Sequence, residues 1–295
     1  MRQRLAGWSR WTALDWSPTD EVLAEILDGG PAFRWTRDDD DSTWTGVWEH
    51  NVARLRQGAT GCVEWSAPAT IAKRVGTALP VYLALDCDWD ALVATLPVAR
   101  DPHLARCIVE FPGLRLLAQP FGETLLAFIC SATKQIVQIR RMLEALALRF
   151  GDPIAGGFHA LPSWERLATI PEAELRACQL GFRARHVHGT ATFLAARPGW
   201  LEETRALPYA DARERLIELP GVGPKIADCA LLFGAGRLEA FPVDVWVMKA
   251  LARHYVLKTA PSKLAARGRE AFGPCAGLAQ QYLFSWERRR GWSGG

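Results

Sequence analysis

The chain has 295 residues, of which 49% are hydrophobic, and it carries a formal net charge of +3 with a pI of about 8.5. This length and composition predict a folded protein of two domains and exclude a disordered chain. The weakly basic charge allows a nucleic-acid partner but does not by itself indicate one. The seven cysteines are scattered and form no Cys-x-x-Cys pair, so we expect neither a zinc site nor a disulfide framework, and we expect a reducing, cytoplasmic setting.

A membrane partner is not expected either. The N-terminal residues Met1–Trp8 lack the apolar run of a signal peptide. No window holds about eighteen uninterrupted apolar residues, which is the length that a membrane-spanning helix needs. No feature of the sequence indicates an obligate protein partner, so we expect a monomer.

Short segments with alternating polarity fill the N-terminal part of the chain. The runs 43–48, 52–55 and 62–65 alternate between apolar and polar residues and are separated by Gly, Asn and Asp, a pattern typical of antiparallel strands. The acidic run Asp38–Asp41 fits the solvated tip of a hairpin better than a metal site, because four adjacent acids cannot converge on one ion. Residues 1–98 are therefore predicted to form an antiparallel β domain that contributes to a binding pocket.

From about residue 99 the apolar spacing becomes helical. One predicted helix carries Ile136, Ile139, Leu143 and Leu146 on a single face. Further helices are predicted after Ser163 as an N-cap, from Pro171 to Gly181, and near 183–196, 210–218, 225–234, 244–255 and 274–286, with a loop and a helix over 258–270. The predicted fold class is α+β. An N-terminal β domain packs on a mostly helical domain of residues 99–295, with the active site in a cleft.

A glycine-rich turn joins two of these helices, within a predicted helix-hairpin-helix at about 210–235. Gly221 and Gly223 permit close approach of the backbone, and Pro224 starts the second helix. The free N–H groups at the start of that helix can hold a phosphate, with a monovalent cation assisting. We expect this turn to contact the DNA backbone, although an ordinary structural corner fits the same pattern. The contact residues would be Pro220, Gly221, Val222 and Gly223.

Lys225 and Asp244 suggest chemistry next to this turn. Lys225 lies at the positive end of a helix dipole, where a cation is disfavoured, and this favours a free amine. A free amine can attack the sugar C1′ of a nucleotide and leave a Schiff base. Asp244 precedes the apolar run of the next helix as an N-cap, and its carboxylate can also stabilise positive charge on the sugar. Two structural alternatives stay open: a surface lysine that binds phosphate, and a carboxylate that only caps its helix.

Several segments in this order resemble one protein family. The region 219–246 is similar to the helix-hairpin-helix, Gly/Pro-Asp superfamily of DNA glycosylases, and most similar to its 8-oxoguanine DNA glycosylase/AP lyase branch. The resemblance spans about residues 25 to 287. The matching segments are Gly30–Trp35, Phe128–Ser131, Leu180–Arg185, Lys225–Cys229, Pro242–Val245, Phe272–Pro274 and Leu283–Ser285, with Ala276, Gly277 and Gln280.

The resemblance implies a role for each matching residue. Lys225 matches the nucleophile, Asp244 the catalytic aspartate and Cys229 a cysteine of the base pocket. Gly30 matches a glycine whose carbonyl accepts the N7–H that the oxidised base has and guanine lacks. Two further matches are Gln280, which would read the Watson–Crick edge of the extruded base, and Phe284, which would stack on that base. Cys229 fits core packing equally well, and Phe284, like Phe182, also fits as a core aromatic.

Other matches and departures concern the DNA duplex. Phe182 matches an aromatic wedge beside the extruded nucleotide, and Arg183 matches an arginine that contacts the orphaned opposite base. Both Arg183 and Arg185 fit generic phosphate binding as well. The chain departs from the family at three positions that face DNA: Thr133 replaces an asparagine that fills the gap, Gln138 replaces an arginine that reads the opposite cytosine, and Trp246 replaces a histidine. A strict preference for cytosine opposite the lesion is therefore not expected.

The resemblance implies base-excision repair of duplex DNA that contains a damaged base. The enzyme would flip out 8-oxoguanine, release it and cleave the strand through a lysine Schiff base. No four-cysteine cluster follows Phe284, so no iron–sulfur cluster is expected, and no catalytic metal is needed. The expected location is the bacterial nucleoid or the eukaryotic nucleus. One alternative is a monofunctional alkylpurine glycosylase in which Asp244 assists a water, and another is a non-catalytic DNA-damage binder.

Overall fold

The computed structural model describes residues 7–257 and 259–291. The chain divides into two compact units, each made of two stretches. The first unit comprises Met1–Asp86 and Cys130–Ala196, and the second comprises Cys87–Ile129 and Arg197–Gly295. The division at residue 98 that we expected from the sequence stays a prediction. The expected lack of a signal peptide depends on residues that mostly precede Gly7 and so lie outside the described ones.

The first unit contains a five-stranded antiparallel sheet, whose strands lie in the order β1 (Thr12–Ala13), β5 (Val63–Ser66), β4 (Asn51–Gln57), β3 (Trp44–Trp48) and β2 (Trp35–Arg37). The three strands predicted from alternation are confirmed, and the acidic run lies in the exposed turn between β2 and β3. Gly46 is required in β3, since a Cβ there would lie 2.3 Å from the ring of Trp35.

Three helices occur within residues 1–98, where the sequence predicts an antiparallel β domain. They are α1 (Asp20–Asp28), α2 (Ala72–Tyr82) and α3 (Trp89–Ala94), the last of which belongs to the second unit. Local capping explains two of them, because Thr19 accepts a hydrogen bond from the backbone of α1 and Asp88 accepts one from that of α3. Thr19 and Asp88 can be recognised as capping residues in the sequence, but the alternating polarity of nearby segments favoured strands throughout this stretch.

The second stretch of the first unit is helical. It contains α6 (Ile136–Phe150), α7 (Trp164–Ala168), α8 (Glu172–Leu175) and α9 (Arg183–Ala195). Ser163 caps α7 as predicted, and its hydroxyl accepts the N–H of Arg166 at 3.2 Å. The helix predicted from Pro171 to Gly181 is interrupted after α8 by a wide turn, in which Gln179 has φ +65°. Gly181, with φ +58°, then starts the entry into α9.

The second unit is almost wholly helical. In it, α13 (Val245–His254) packs on α15 (Ala276–Gly291), and α15 packs on α4 (Pro102–Glu110). The helices predicted near 210–218, 225–234, 244–255 and 274–286 are confirmed within a few residues, whereas the sequence pattern did not indicate a helix over Trp200–Ala206. Of the predicted loop and helix over 258–270, the helix is confirmed as α14, and residue 258 lies outside the described residues. The helices are α4 (Pro102–Glu110), α5 (Phe121–Ser131), α10 (Trp200–Ala206), α11 (Tyr209–Ile217), α12 (Pro224–Ala235), α13 (Val245–His254), α14 (Pro261–Phe272) and α15 (Ala276–Gly291).

Among the described residues, no helix combines the length and the apolar character that crossing a membrane requires.

Candidate active site

The predicted hairpin lies between α11 and α12. Leu219 and Val222 are buried and anchor the turn, and the N–H of Val222 donates to the carbonyl of Leu219 at 3.0 Å. Gly221 needs the left-handed conformation that glycine allows, with φ +79°. Gly223 caps α12 with its backbone, and a Cβ there would meet only open space. The start of α12 is therefore accessible to a ligand such as phosphate.

An ion pair between a buried carboxylate and a half-buried arginine joins the two hairpin helices. Asp228, which is 1% exposed, accepts hydrogen bonds from the hydroxyl of Tyr209 at 2.8 Å and from Nε of Arg213 at 2.7 Å. Burial raises the pKa of Asp228, and the charge of Arg213 opposes this rise. Because Tyr209 and Arg213 are on α11 and Asp228 is on α12, these bonds fix the two helices relative to each other and so position the turn between them.

The amine of Lys225 lies in the first turn of α12, between an aromatic ring and a thiol. Its Nζ is 4.9 Å from the ring centroid of Phe128, and its side chain hydrogen-bonds to Cys229 one turn later. Burial raises the pKa of the Cys229 thiol to about 12, so the thiol remains protonated at neutral pH. Cys229 is therefore a neutral hydrogen-bonding partner of Lys225 rather than a second nucleophile.

Asp244 caps α13, as the sequence predicts. Its Oδ1 accepts the N–H of Trp246 at 3.0 Å and that of Val247 at 2.9 Å. Burial raises the pKa of Asp244, while these backbone donors and the charge of Lys225 oppose the rise. Asp244 thus interacts electrostatically with Lys225 while it caps its helix, so the two roles are compatible.

Gln280 and Phe284 occupy one face of α15, because they are one turn apart. Both are nearly inaccessible, with 4% and 8% of their surfaces exposed. Within residues 7–257 and 259–291, Oε1 of Gln280 has no hydrogen-bond partner although it is buried. An unpaired buried acceptor is costly, and it suits a ligand that brings an N–H donor.

Gly30 lies in the first unit, just after α1. It is half-buried and has φ +127°, a conformation that residues with a Cβ rarely adopt. The backbone therefore requires glycine at this position whether or not its carbonyl contacts a base.

Phe182, the predicted wedge, lies in the first unit and contacts the neighbouring Arg183. Phe182 is 47% exposed, and the guanidinium of Arg183 lies 4.3 Å from its ring centroid. Arg183 is itself 3% exposed, and its Nε donates to the carbonyl of Ala132 at 2.8 Å. Its Nη2 donates to Oγ1 of Thr133, also at 2.8 Å. The structure thus joins Phe182, Arg183 and Thr133 into one group, in which the guanidinium bonds to its own chain.

Three further predicted DNA contacts are polar or aromatic groups near the surface. Gln138 is exposed, and its Oε1 accepts the N–H of Gln135 at the start of α6. Arg185 is exposed on α9. Trp246 is half-buried on α13, with Nζ of Lys249 lying 4.3 Å from the centroid of its ring. The roles of all these residues stay predictions.

The sequence pattern does not identify two residues as contributors to the site, namely Phe128 and Asp228. Phe128 is distant from Lys225 in sequence, and no local pattern links them. Asp228 is three residues after Lys225, and its buried position on an apolar helix was a usable signal, because a buried acid needs a partner. Among the described residues, no group of histidines, cysteines and acids could hold a metal ion.

Comparisons with known proteins agree with this geometry. Residues 13–125 match the model of the 8-oxoguanine DNA glycosylase N-terminal domain, and residues 126–274 match that of the HhH-GPD superfamily base excision DNA repair proteins. The chain is 32% identical to the N-glycosylase/DNA lyase OGG1 of Arabidopsis thaliana, over 96% of this chain and 82% of that protein. It is also 32% identical to the N-glycosylase/DNA lyase of Saccharomyces cerevisiae, over 79% and 68%.

A solved structure extends the comparison to a DNA complex. The 8-oxoguanine glycosylase/lyase of Clostridium acetobutylicum, in complex with double-stranded DNA containing cytosine opposite 8-oxoG, superposes with a TM-score of 0.83. The two sequences are 28% identical, and the match covers 97% of this chain and 99% of the other. The chain therefore belongs to the 8-oxoguanine DNA glycosylase family of the HhH-GPD superfamily.

Proposed function

We propose that this protein excises 8-oxoguanine from duplex DNA and then cleaves the strand at the resulting abasic site. The observation that carries the proposal is the amine of Lys225, which interacts with Cys229 and Asp244 next to the accessible start of α12. The similarity to proteins named N-glycosylase/DNA lyase supports both activities.

The proposed reaction uses Lys225 as the nucleophile. The lone pair of Nζ forms a bond to C1′, and the glycosidic C1′–N9 bond breaks, so that its electron pair leaves with the base, which takes up a proton. The nitrogen then gives up a proton to the ring oxygen, the bond between C1′ and the ring oxygen breaks, and a double bond forms between C1′ and Nζ, which gives the open-chain Schiff base. Loss of a proton from C2′ expels the 3′ phosphate by β-elimination and breaks the strand.

Asp244 is proposed to stabilise the positive charge that develops on the sugar as the base departs. The backbone donors on Asp244 keep its carboxylate oriented, so little reorganisation is needed during the reaction. A carboxylate acts through its charge, and asparagine at this position would keep the helix cap but lose that charge.

Base recognition is assigned to residues on two separate elements. The unpaired Oε1 of Gln280 is proposed to accept an N–H from the Watson–Crick edge of the extruded base, and Phe284 to stack on its ring. The carbonyl of Gly30 is proposed to accept N7–H, which 8-oxoguanine has and guanine lacks. Guanine would leave that acceptor unpaired, and a buried unpaired acceptor is a strong basis for discrimination.

Duplex DNA is the proposed partner, bound with the damaged nucleotide rotated out of the stack. Phe182 is proposed to fill the gap, and the turn of Pro220, Gly221, Val222 and Gly223 to hold a phosphate, with Arg185 and Trp246 at the backbone. Thr133 and Gln138 are proposed to relax the preference for cytosine opposite the lesion. Gln138 lacks the forked donors of the arginine that it replaces, and Thr133 is shorter than the gap-filling asparagine that it replaces.

Lysine chemistry of this kind needs neither a redox cofactor nor a catalytic metal, so we propose that none is used and that no iron–sulfur cluster is bound. A monovalent cation at the hairpin is proposed only as an aid to phosphate binding. The proposed setting is the cytoplasm, at the nucleoid in a bacterium, or the nucleus in a eukaryote.

The test uses a labelled duplex with one 8-oxoguanine opposite C, A, G or T, incubated with the protein and borohydride. A covalent band is expected from the wild-type protein, and Lys225→Gln should abolish it, since glutamine cannot form a Schiff base. Base loss without a band would instead favour a monofunctional glycosylase that uses Asp244 and water. Neither band nor base loss would overturn the substrate assignment and favour a DNA-damage binder.

A further inference from the structure

The ring of Phe128 is the aromatic surface against which the Lys225 amine lies. Phe128 belongs to α5, and it is 5% exposed. The 4.9 Å separation between Nζ and the ring centroid is within the range of a cation–π interaction. Phe233 of α12 stacks on Phe128, with ring centroids 5.7 Å apart and an angle of 17° between the planes. The ring of Phe128 is thus held in place by packing within the second unit.

The flexible side chain of a lysine must be held in place if its amine is to attack one particular carbon atom. Four rotatable bonds separate Nζ from the backbone, and restricting them costs about 2 kcal/mol of side-chain entropy. The hydrogen bond to Cys229 constrains the amine from within α12, because Cys229 is one turn away on the same helix. The ring of Phe128 constrains it from a different helix. Positioning before attack is a large source of rate enhancement, and small displacements of a nucleophile reduce it.

We propose that Phe128 is a positioning residue for Lys225, whose ring face holds the amine in place for attack on C1′. This inference rests on the proposed function, in which Lys225 is the nucleophile. It assigns no covalent step to Phe128, and it predicts that loss of the ring slows chemistry without weakening DNA binding.

The experiment replaces the aromatic face while keeping a long apolar side chain, using Phe128→Met in the full-length protein. Phe233→Met is the matched control, because Phe233 is also 5% exposed and is one partner of the same stacked pair, while Lys225 lies over the other ring. Phe128→Tyr restores a ring. Three quantities are measured for each: the single-turnover rate of 8-oxoguanine release, the rate of borohydride trapping, and the affinity for a duplex with a tetrahydrofuran abasic analogue.

The nitrogen of Lys225 becomes positively charged as its bond to C1′ forms, and the ring face of Phe128 stabilises that charge. Phe128→Met should therefore slow release and trapping by about 3- to 30-fold, the range that corresponds to one lost cation–π contact in the transition state. Its affinity for the abasic duplex should stay within about twofold of the wild type. Phe128→Tyr should keep rates within about threefold of the wild type, and Phe233→Met, which leaves the ring of Phe128 present, should slow them clearly less than Phe128→Met does. Phe128→Leu serves the same purpose if the methionine variant does not fold.

Two outcomes would overturn the inference. Equal slowing by Phe128→Met and Phe233→Met would mean that only the packing of the stacked pair matters. Unchanged or faster chemistry in Phe128→Met would mean that the ring does not guide the amine. Failure of the proposed function is distinguishable from both, because it appears in the wild-type protein as the absence of a band that depends on Lys225.

Discussion

The positively charged side chains Lys225 and Arg183 lie in contrasting surroundings. The amine of Lys225 is half-buried and contacts a ring and a neutral thiol. The guanidinium of Arg183 is buried, and its N–H groups bond to the carbonyls of Leu180 and Ala132 and to Thr133. A guanidinium bonded to backbone carbonyls of its own chain stabilises the fold, whereas an amine that lies against a ring and a thiol is positioned but still available to a substrate. Arg183 is therefore expected to act through Phe182 and Thr133, and Lys225 directly.

The largest expected effect follows from removing a charge beside Lys225 without changing the fold. Asp244→Asn keeps an N-cap acceptor, because asparagine and aspartate cap helices about equally well. It removes the carboxylate charge, so the rate of 8-oxoguanine release should fall by about 100- to 1,000-fold, as it does when one electrostatic stabiliser of a transition state is lost. Single-turnover kinetics measure the rate, and thermal unfolding should show little change. A rate within tenfold of the wild type would mean that Asp244 acts only as a cap.

Removing the guanidinium of Arg183 should have the complementary effect, a loss of stability. Arg183→Gln leaves the carbonyl of Ala132 and Oγ1 of Thr133 without their donor, and this should lower the free energy of unfolding by about 2 kcal/mol. Arg185→Gln is the matched control, since it removes the same charge from an exposed site two residues away and should cost less than about 0.5 kcal/mol. Urea denaturation of both variants makes the comparison. Equal losses would show that the buried contacts of Arg183 contribute nothing.

The same comparison shows which features of the site the sequence can predict. Features that depend on neighbouring residues are predictable, and contacts between distant segments are not. The cap of Asp244 and the turn at Gly221 and Gly223 depend on neighbours within a few residues, so the local sequence specifies them. The contact of Arg183 with Ala132 joins residues 51 positions apart, and it depends on how α9 packs in the first unit. A sequence pattern identifies such a residue as functional through family resemblance, but it does not reveal whether the side chain is exposed or already bonded.

A smaller effect on the rate of 8-oxoguanine release is expected from a change at Gln280. Gln280→Met removes the buried Oε1 that has no partner among the described residues, so the free energy of unfolding should be unchanged or rise by up to about 1 kcal/mol. The same change should slow release of 8-oxoguanine about tenfold, because one hydrogen bond to the extruded base is lost. Stability and single-turnover rate are measured on the same preparation. A clear loss of stability would show that Gln280 serves the fold rather than the ligand.

The smallest effect concerns a histidine pair of the second unit that lies apart from Lys225 in the chain. The rings of His103 and His254 stack with centroids 3.6 Å apart, and burial, with the charge of His254 adding to it, lowers the pKa of His103 from 6.5 to about 4. The unfolded chain therefore binds a proton that the folded chain does not, and stability should fall by about 1 kcal/mol between about pH 7 and pH 5.5. The charged groups that act on this pair are Asp101, Arg106, Arg253, Glu287 and Arg290.

His103→Phe keeps a flat ring for the stack but cannot take up a proton. Its free energy of unfolding should therefore depend less on pH in that window, by about the same 1 kcal/mol. The raised pKa values of Asp228 and Asp244 have the opposite sign, since these folded-state carboxyls bind protons that the unfolded chain has already released, and their stabilisation fades as the pH rises. They are unchanged in the variant, so the difference between the two pH profiles isolates the histidine. Parallel profiles for the two proteins would show that His103 does not titrate differently on folding.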